Sequence, residues 1–179
     1  MAAKPPVVLM EEFISLDYTT LATDVGLRFS EKLLEGKIIG HRSKSTGLVY
    51  VPPKGYDPIS GQLTSSADEV EVSDRGTLTG FTIIDPIQYF GQKETERYVQ
   101  ASVLLDGASS ALGGARIGGI PVDRVRAGMR VRAVWKPKAE RVGTVVDNWG
   151  GRAVASCVAH WEATGEPDVP AAEIRNSLW

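Results

Sequence analysis

Cys157 and His160 stand three residues apart, and by type they are a candidate nucleophile and base. An extended segment sends side chains three apart to opposite faces, so this spacing keeps the thiol and imidazole from meeting on a strand. A second candidate is the run Gly113-Gly114-Ala115-Arg116-Ile117-Gly118-Gly119, whose glycines suggest a phosphate loop. It lacks the Gly-Lys-Ser/Thr ending and a following helix, and glycines inside a strand mark bulges and barrel corners. The third is basic: Arg124, Arg126, Arg130, Arg132, Lys136, Lys138 and Arg141 surround Trp135, the pairing of cations with a stacking aromatic that suits single-stranded nucleic acid. Trp135 shares its parity with Val131 and Ala133, which predicts a core tryptophan beneath a solvated charged face. No residues complete a nucleophile, base and oxyanion arrangement, and no carboxylate pair stands out for acid–base work.

Composition narrows the options. The 179 residues are 42% hydrophobic and 23% charged, with a formal net charge of -2, which suits a folded domain and gives no global attraction to phosphate backbones. One cysteine forms no intrachain disulfide, and one cysteine with His41 and His160 falls short of a four-ligand Cys/His zinc site. No apolar run reaches membrane-spanning length, and the N-terminal stretch is interrupted by Pro5-Pro6, so a soluble cytoplasmic protein is expected.

These residues need elements to position them. From Asp24 the spacing of Phe29, Leu33 and Leu34 predicts a short amphipathic helix that Gly36 stops. Residues 37–70 read as a small irregular module: one brief strand around Leu48 to Val51 lies between two turn-rich segments, and a polar linker runs from Thr64 to Glu69. From Gly76 the pattern becomes β, with strands expected at Gly76–Ile84, Tyr98–Leu105, Ser110–Ile117, Met129–Trp135 and Ala153–Glu162. Five strands closed by turns and one short helical connection suggest an OB-fold barrel over residues 71–163. The fold class is therefore mainly β, with an N-terminal arm and helix at 1–36 and a C-terminal arm at 164–179.

The order of Leu34-Glu35-Gly36-Lys37-Ile38-Ile39-Gly40-His41-Arg42, a knuckle-like turn, Val49-Tyr50-Val51-Pro52-Pro53, then Asp57-Pro58-Ile59-Ser60-Gly61 and a β domain opening at Gly76-Thr77 resembles one known family. This is the acyl-CoA-associated OB-fold family, which carries an N-terminal rubredoxin-like zinc ribbon and works beside thiolase-like enzymes. The barrel half adds Leu105-Asp106-Gly107 and Ala127-Gly128-Met129-Arg130-Val131 to the likeness, which spans roughly residues 26–163. The family's four zinc cysteines are matched by Ser43, Thr46, Asp57 and Ser60, so a metal-free, degenerate ribbon is expected. These oxygens suit a weak Ca²⁺ or Mg²⁺ site in principle, and plain turn chemistry otherwise.

The resemblance implies a non-catalytic subunit docked on a thiolase-fold acyl-CoA enzyme, such as an aldolase of steroid side-chain degradation, in a two-plus-two heterotetramer. It implies no cofactor of the chain's own, only contact with a CoA thioester held mainly by the partner, with Arg116 near it. The alternatives are a single-stranded nucleic-acid-binding OB protein and a free-standing acyl-CoA-binding protein. For the partner surface the expected residues are Trp149, Trp161, Ile174, Leu178 and Trp179, with Ile174 and Leu178 at i, i+4 in a short terminal helix. Folding of this arm back onto its own barrel is the competing expectation.

Overall fold

The computed structural model describes residues 21–86, 95–143 and 151–175, together with 12, 14 and 16. Helix α1 (Asp24–Glu35) begins at Thr23, whose side chain accepts from the Gly26 N–H, and ends at Gly36 in the left-handed region with φ 84°. There the Gly36 and Lys37 N–H groups take up the carbonyls of Leu33 and Lys32, so the last turn keeps its acceptors satisfied. Phe29, Ser30 and Leu33 form the buried stripe.

The chain then builds a three-stranded antiparallel sheet in the order β2-β1-β3, from β1 (Ile38–Arg42), β2 (Val49–Tyr50) and β3 (Glu69–Val72). The polar run expected as a linker instead holds a single 3₁₀ turn, Ser66–Asp68, and leads into β3, whose Val70 and Val72 pair with Gly40 and Ile38. The Glu-Val-Glu-Val alternation at residues 69–72 carries that strand signal.

Among the described residues, five strands close a barrel in the order β4-β5-β6-β8-β7: β4 (Arg75–Ile84), β5 (Tyr98–Leu105), β6 (Ala111–Ile117), β7 (Arg130–Trp135) and β8 (Val158–Ala163). Neighbours are antiparallel except β6 and β8, which meet in parallel at Ile117 and Trp161. This is the OB-type barrel expected from the turn spacing. Its interior holds Leu78, Val99, Val103, Leu105, Leu112, Val131 and Trp161, each at most 1% exposed.

One predicted strand divides in two. Residues 151–157 form helix α2 (Gly151–Cys157), and only Val158 onward enters the sheet. Ala153, Val154 and Cys157 are its buried residues, a helical i, i+1, i+4 spacing that the β-branched and apolar composition masked. The glycine run explains where α2 can sit. β6 bulges opposite Ala101 and Val103, Gly114 takes φ 76°, and a Cβ there would lie 3.3 Å from the Gly151 Cα. The glycines thus act as a bulge and a helix seat.

The two units are joined by side chains and backbone together. Ser109 N–H donates to the Val49 carbonyl at 2.7 Å, Val49 N–H donates to Ser109 Oγ at 3.1 Å, and Val51 N–H donates to Ser110 Oγ at 2.9 Å.

Candidate functional site

The positions matched to the family's zinc ligands lie on two turns with one backbone plan. In the first, Ser43 N–H donates to the Leu48 carbonyl (2.8 Å) and Gly47 N–H to the Ser43 carbonyl (2.9 Å); in the second, Asp57 N–H donates to Gln62 (2.7 Å) and Gly61 N–H to Asp57 (2.8 Å). Side chains repeat the match: Thr46 N–H donates to Ser43 Oγ, and Ser60 N–H to Asp57 Oδ1. Gly47 and Gly61 close the turns at φ 75° and 71°, a region that favours glycine.

The turns face one another through Asp57. Its Oδ2 accepts from Ser43 Oγ at 2.5 Å and Ser45 Oγ at 2.9 Å, while Oδ1 accepts from Ile59 N–H and Ser60 N–H. The hydrogen bond from Ser43, assisted by the two backbone N–H groups and Ser45 against some burial, holds the Asp57 carboxyl far below the usual carboxylate range. Thr46 Oγ1 accepts from Leu48 N–H, and Ser60 Oγ accepts from Gln62 N–H. A zinc ion does not fit this donor set: hydroxyls are poor zinc ligands, and all four side chains are engaged with each other or with local backbone. Among the described residues no group of three His, Cys, Asp or Glu side chains is placed to hold a metal. Sequence reasoning missed Ser45, which sits between two matched positions and supplies a second hydroxyl to Asp57.

Between this module and the barrel lies a cleft of about 520 Å³. Tyr50, Pro52, Tyr56 and Pro58 form its module wall, and Thr79, Gly80, Ser102 and Gly113 its barrel wall. Most of its surface is apolar, and its size falls in the usual range for organic-ligand sites of roughly 300–1,000 Å³. Neither Tyr56 nor the serines could be assigned to one cleft from sequence, because they are brought together only when the module docks.

The basic stretch around Trp135 does not form an open cationic groove. Arg130 binds Asp106 bidentately and reaches Glu166, Arg132 pairs with Glu162, Arg126 grips Asp168 through two nitrogens, and Arg75 joins Glu166. Arg141 stacks over the Trp135 ring and donates to the Leu34 carbonyl at the end of α1. Trp135 itself is half-buried, with Nε1 donating to Asp74. Sequence reasoning treated these cations as one face, whereas Asp106, Glu162 and the arm's Glu166 and Asp168 neutralise Arg126, Arg130 and Arg132.

Those contacts lay residues 164–169 along the barrel, and Val169 N–H donates to the Gly128 carbonyl at 2.8 Å. Helix α3 (Ala171–Arg175) follows and buries Ile174 to 7% exposure over Gly128. Two of the residues expected at the partner surface are therefore corrected. Trp161 is 1% exposed because its parity on β8 points it into the barrel, and Ile174 is covered by its own chain. Trp149, Leu178 and Trp179 lie outside the described residues. Cys157 is fully buried at the end of α2, while His160 faces outward across Gly118. Arg116 lies on the outer face of β6, its guanidinium 4.6 Å from the Tyr98 ring centroid.

Comparison with known proteins fits this architecture. Residues 69–136 match the family model of the ChsH2 C-terminal OB-fold domain. That is the β domain of the family whose resemblance the motifs suggested. Of solved structures, one named "Ltp2-ChsH2(DUF35) aldolase" aligns with a TM-score of 0.56 at 17% identity, over 81% of this chain and 98% of that one. A DUF35-family protein of unknown function from Sulfolobus solfataricus aligns with a TM-score of 0.49 at 20% identity, over 62% of this chain and 77% of that one. No protein of curated function matches the sequence. Among the described residues no helix is long and apolar enough to cross a membrane.

Proposed function

We propose that this chain is a non-catalytic accessory subunit that docks on a thiolase-like acyl-CoA enzyme, of the aldolase kind that shortens a steroid side chain held as a CoA thioester. The observation that carries the reading is the shared fold: this chain aligns with a solved chain named for an Ltp2-ChsH2 aldolase at a TM-score of 0.56, over 81% of this chain and 98% of that one. The reading is supported by the surface of the module. Tyr56, Ile59 and Leu63 are 49%, 66% and 84% exposed, Tyr56 and Leu63 are bridged, and Leu48 is also exposed on the facing turn. Exposed apolar side chains grouped in this way suit a protein interface. In this proposal the patch replaces Trp161 and Ile174 as the docking surface, and the cleft beside it forms one wall of the channel for the thioester's pantetheine arm.

The pairing of Arg75, Arg126, Arg130 and Arg132 with acids counts against the nucleic-acid alternative. The test is untagged co-purification from native lysate, with mass spectrometry of whatever elutes with the chain in size exclusion. A stoichiometric thiolase-fold protein, lost in Ile59→Asp/Leu63→Asp, is the expected result. A lone monomer, or a chain that carries nucleic acid, overturns the reading.

A further inference from the structure

Gly80 on β4 and Gly113 on β6 stand in the barrel wall of the cleft, and the backbone demands glycine at neither. Neither has φ above zero, and among the described residues nothing lies within 4 Å of where a Cβ would stand. Glycine weakens a strand interior, and where neither turn geometry nor packing requires it, it fits a place that another backbone or a ligand approaches closely. The ladders are interrupted at the same place. Thr79 has no register partner on β5, and between β5 and β6 Ser102 faces the Gly113-Gly114 bulge. Two bulges therefore open on one cleft, and bulges gather beside binding sites.

The opposite wall is aromatic and proline-rich. Tyr50 is set by its ring contact with His41 at 5.5 Å between centroids, Tyr56 is 49% exposed, and Pro52 and Pro58 stand with them. A groove of this kind suits a proline-bearing segment in the polyproline II conformation. The chain carries one in Pro5-Pro6-Val7-Val8-Leu9-Met10, six apolar residues in succession, which lie outside the described residues. Proline fixes its own φ and keeps the residue before it out of the helical region, so Lys4-Pro5-Pro6 has little conformational freedom to lose on docking.

The route to the cleft starts at its wall. Val25, in the first turn of α1, has Cγ2 3.2 Å from where a Cβ on Gly55 would stand, and Gly55 separates Lys54 from Tyr56 in the cleft lining. Residues 11–24 span up to roughly 45 Å when extended, ample for the return. Ile14, Leu16 and Leu21 on that route are 71%, 78% and 93% exposed, so these described residues do not tie it down elsewhere.

We infer that residues 5–10 fold back past the start of α1 and occupy the cleft between module and barrel of their own chain. The occupancy needs no partner subunit. Its consequence for regulation rests on the function proposed above: the segment must leave before the thioester's arm can enter.

The experiment places a nitroxide on Glu11→Cys in the full chain, free of partner, and reads paramagnetic broadening of the amides. Cys157, the one native cysteine, is fully buried, so the label goes to position 11. Broadening is expected at Tyr56, Gly80, Ser102 and Gly113, and it should be lost in Pro6→Asp/Val8→Asp. Gly113→Leu, which puts a side chain into the open cleft, should also remove it, with circular dichroism and melting reporting that the variant is folded. No broadening at these residues overturns the inference, as does broadening that survives both variants. So does broadening transferred between labelled and unlabelled chains in a mixture, which would make the occupant a second copy. Failure here leaves the docking reading to its own co-purification test, and failure of that test leaves this occupancy standing.

Discussion

Ser43 and Asp57 occupy the same position in two copies of one turn and are joined side chain to side chain, Ser43 Oγ donating to Asp57 Oδ2 at 2.5 Å. By the sequence resemblance, these positions match ones where a zinc-binding ribbon would carry cysteines. Here one carboxylate collects two hydroxyls and two backbone N–H groups, so hydrogen bonds tie the turns together. Asp57→Ala should therefore expose amides in residues 43–48 and 57–62 to hydrogen exchange while the barrel amides stay protected. Uniform protection across both turns in the variant would show that Asp57 does not hold them.

The same frame makes a gain-of-function test. Converting Ser43, Thr46, Asp57 and Ser60 together to cysteine should create a four-sulfur site that takes one Zn²⁺ per chain, read by Co²⁺ substitution as a tetrahedral thiolate spectrum. A folded variant that takes up no cobalt would mean that the four positions do not converge.

Acid should loosen the module before the barrel. His41 is fully buried, its Nδ1 accepts a long 3.4 Å bond from Lys54 N–H, and among the described residues its Nε2 has no hydrogen-bond partner. Burial pushes its pKa down, partly opposed by Asp57, Asp68 and Glu69. The unfolded chain then binds the proton more readily, so stability is complete above the ordinary histidine value of about 6.5 and falls as pH drops below it. Asp57, whose pKa is lowered, adds a second loss as pH falls below about 3.9. Melting of the module between pH 7 and 5 should show the first loss, and His41→Gln should remove its slope; an unchanged slope in that variant would place the loss elsewhere.

Trp161 fills the barrel, so Trp161→Ala should destabilise it by about 3–5 kcal/mol. Denaturant unfolding measures this directly. A loss below about 1 kcal/mol would be the value for a surface tryptophan and would return Trp161 to the docking face.

The C-terminal arm should be held more by Ile174 than by its ion pairs. The pairs through Glu166 and Asp168 are largely exposed and screened at physiological salt, whereas Ile174 is 7% exposed. Ile174→Asp should speed proteolysis within residues 164–170, and Glu166→Gln should change it little. The reverse order would make the clasp electrostatic.

Where local chemistry decides structure, the sequence alone was enough. The spacing of Phe29 and Leu33 with Gly36 beyond them defines α1, the β-branched runs define four barrel strands, and the Gly47 and Gly61 turns are written in residues that tolerate φ above zero. Pairing decided the rest. Which face Trp161 takes depends on its parallel register with Ile117; whether Arg130 is a free cation depends on Asp106 and Glu166 folding back from 24 and 36 positions away. Side-chain chemistry is local, but the partner that completes or cancels it is chosen by strand register, and register is a property of the closed sheet.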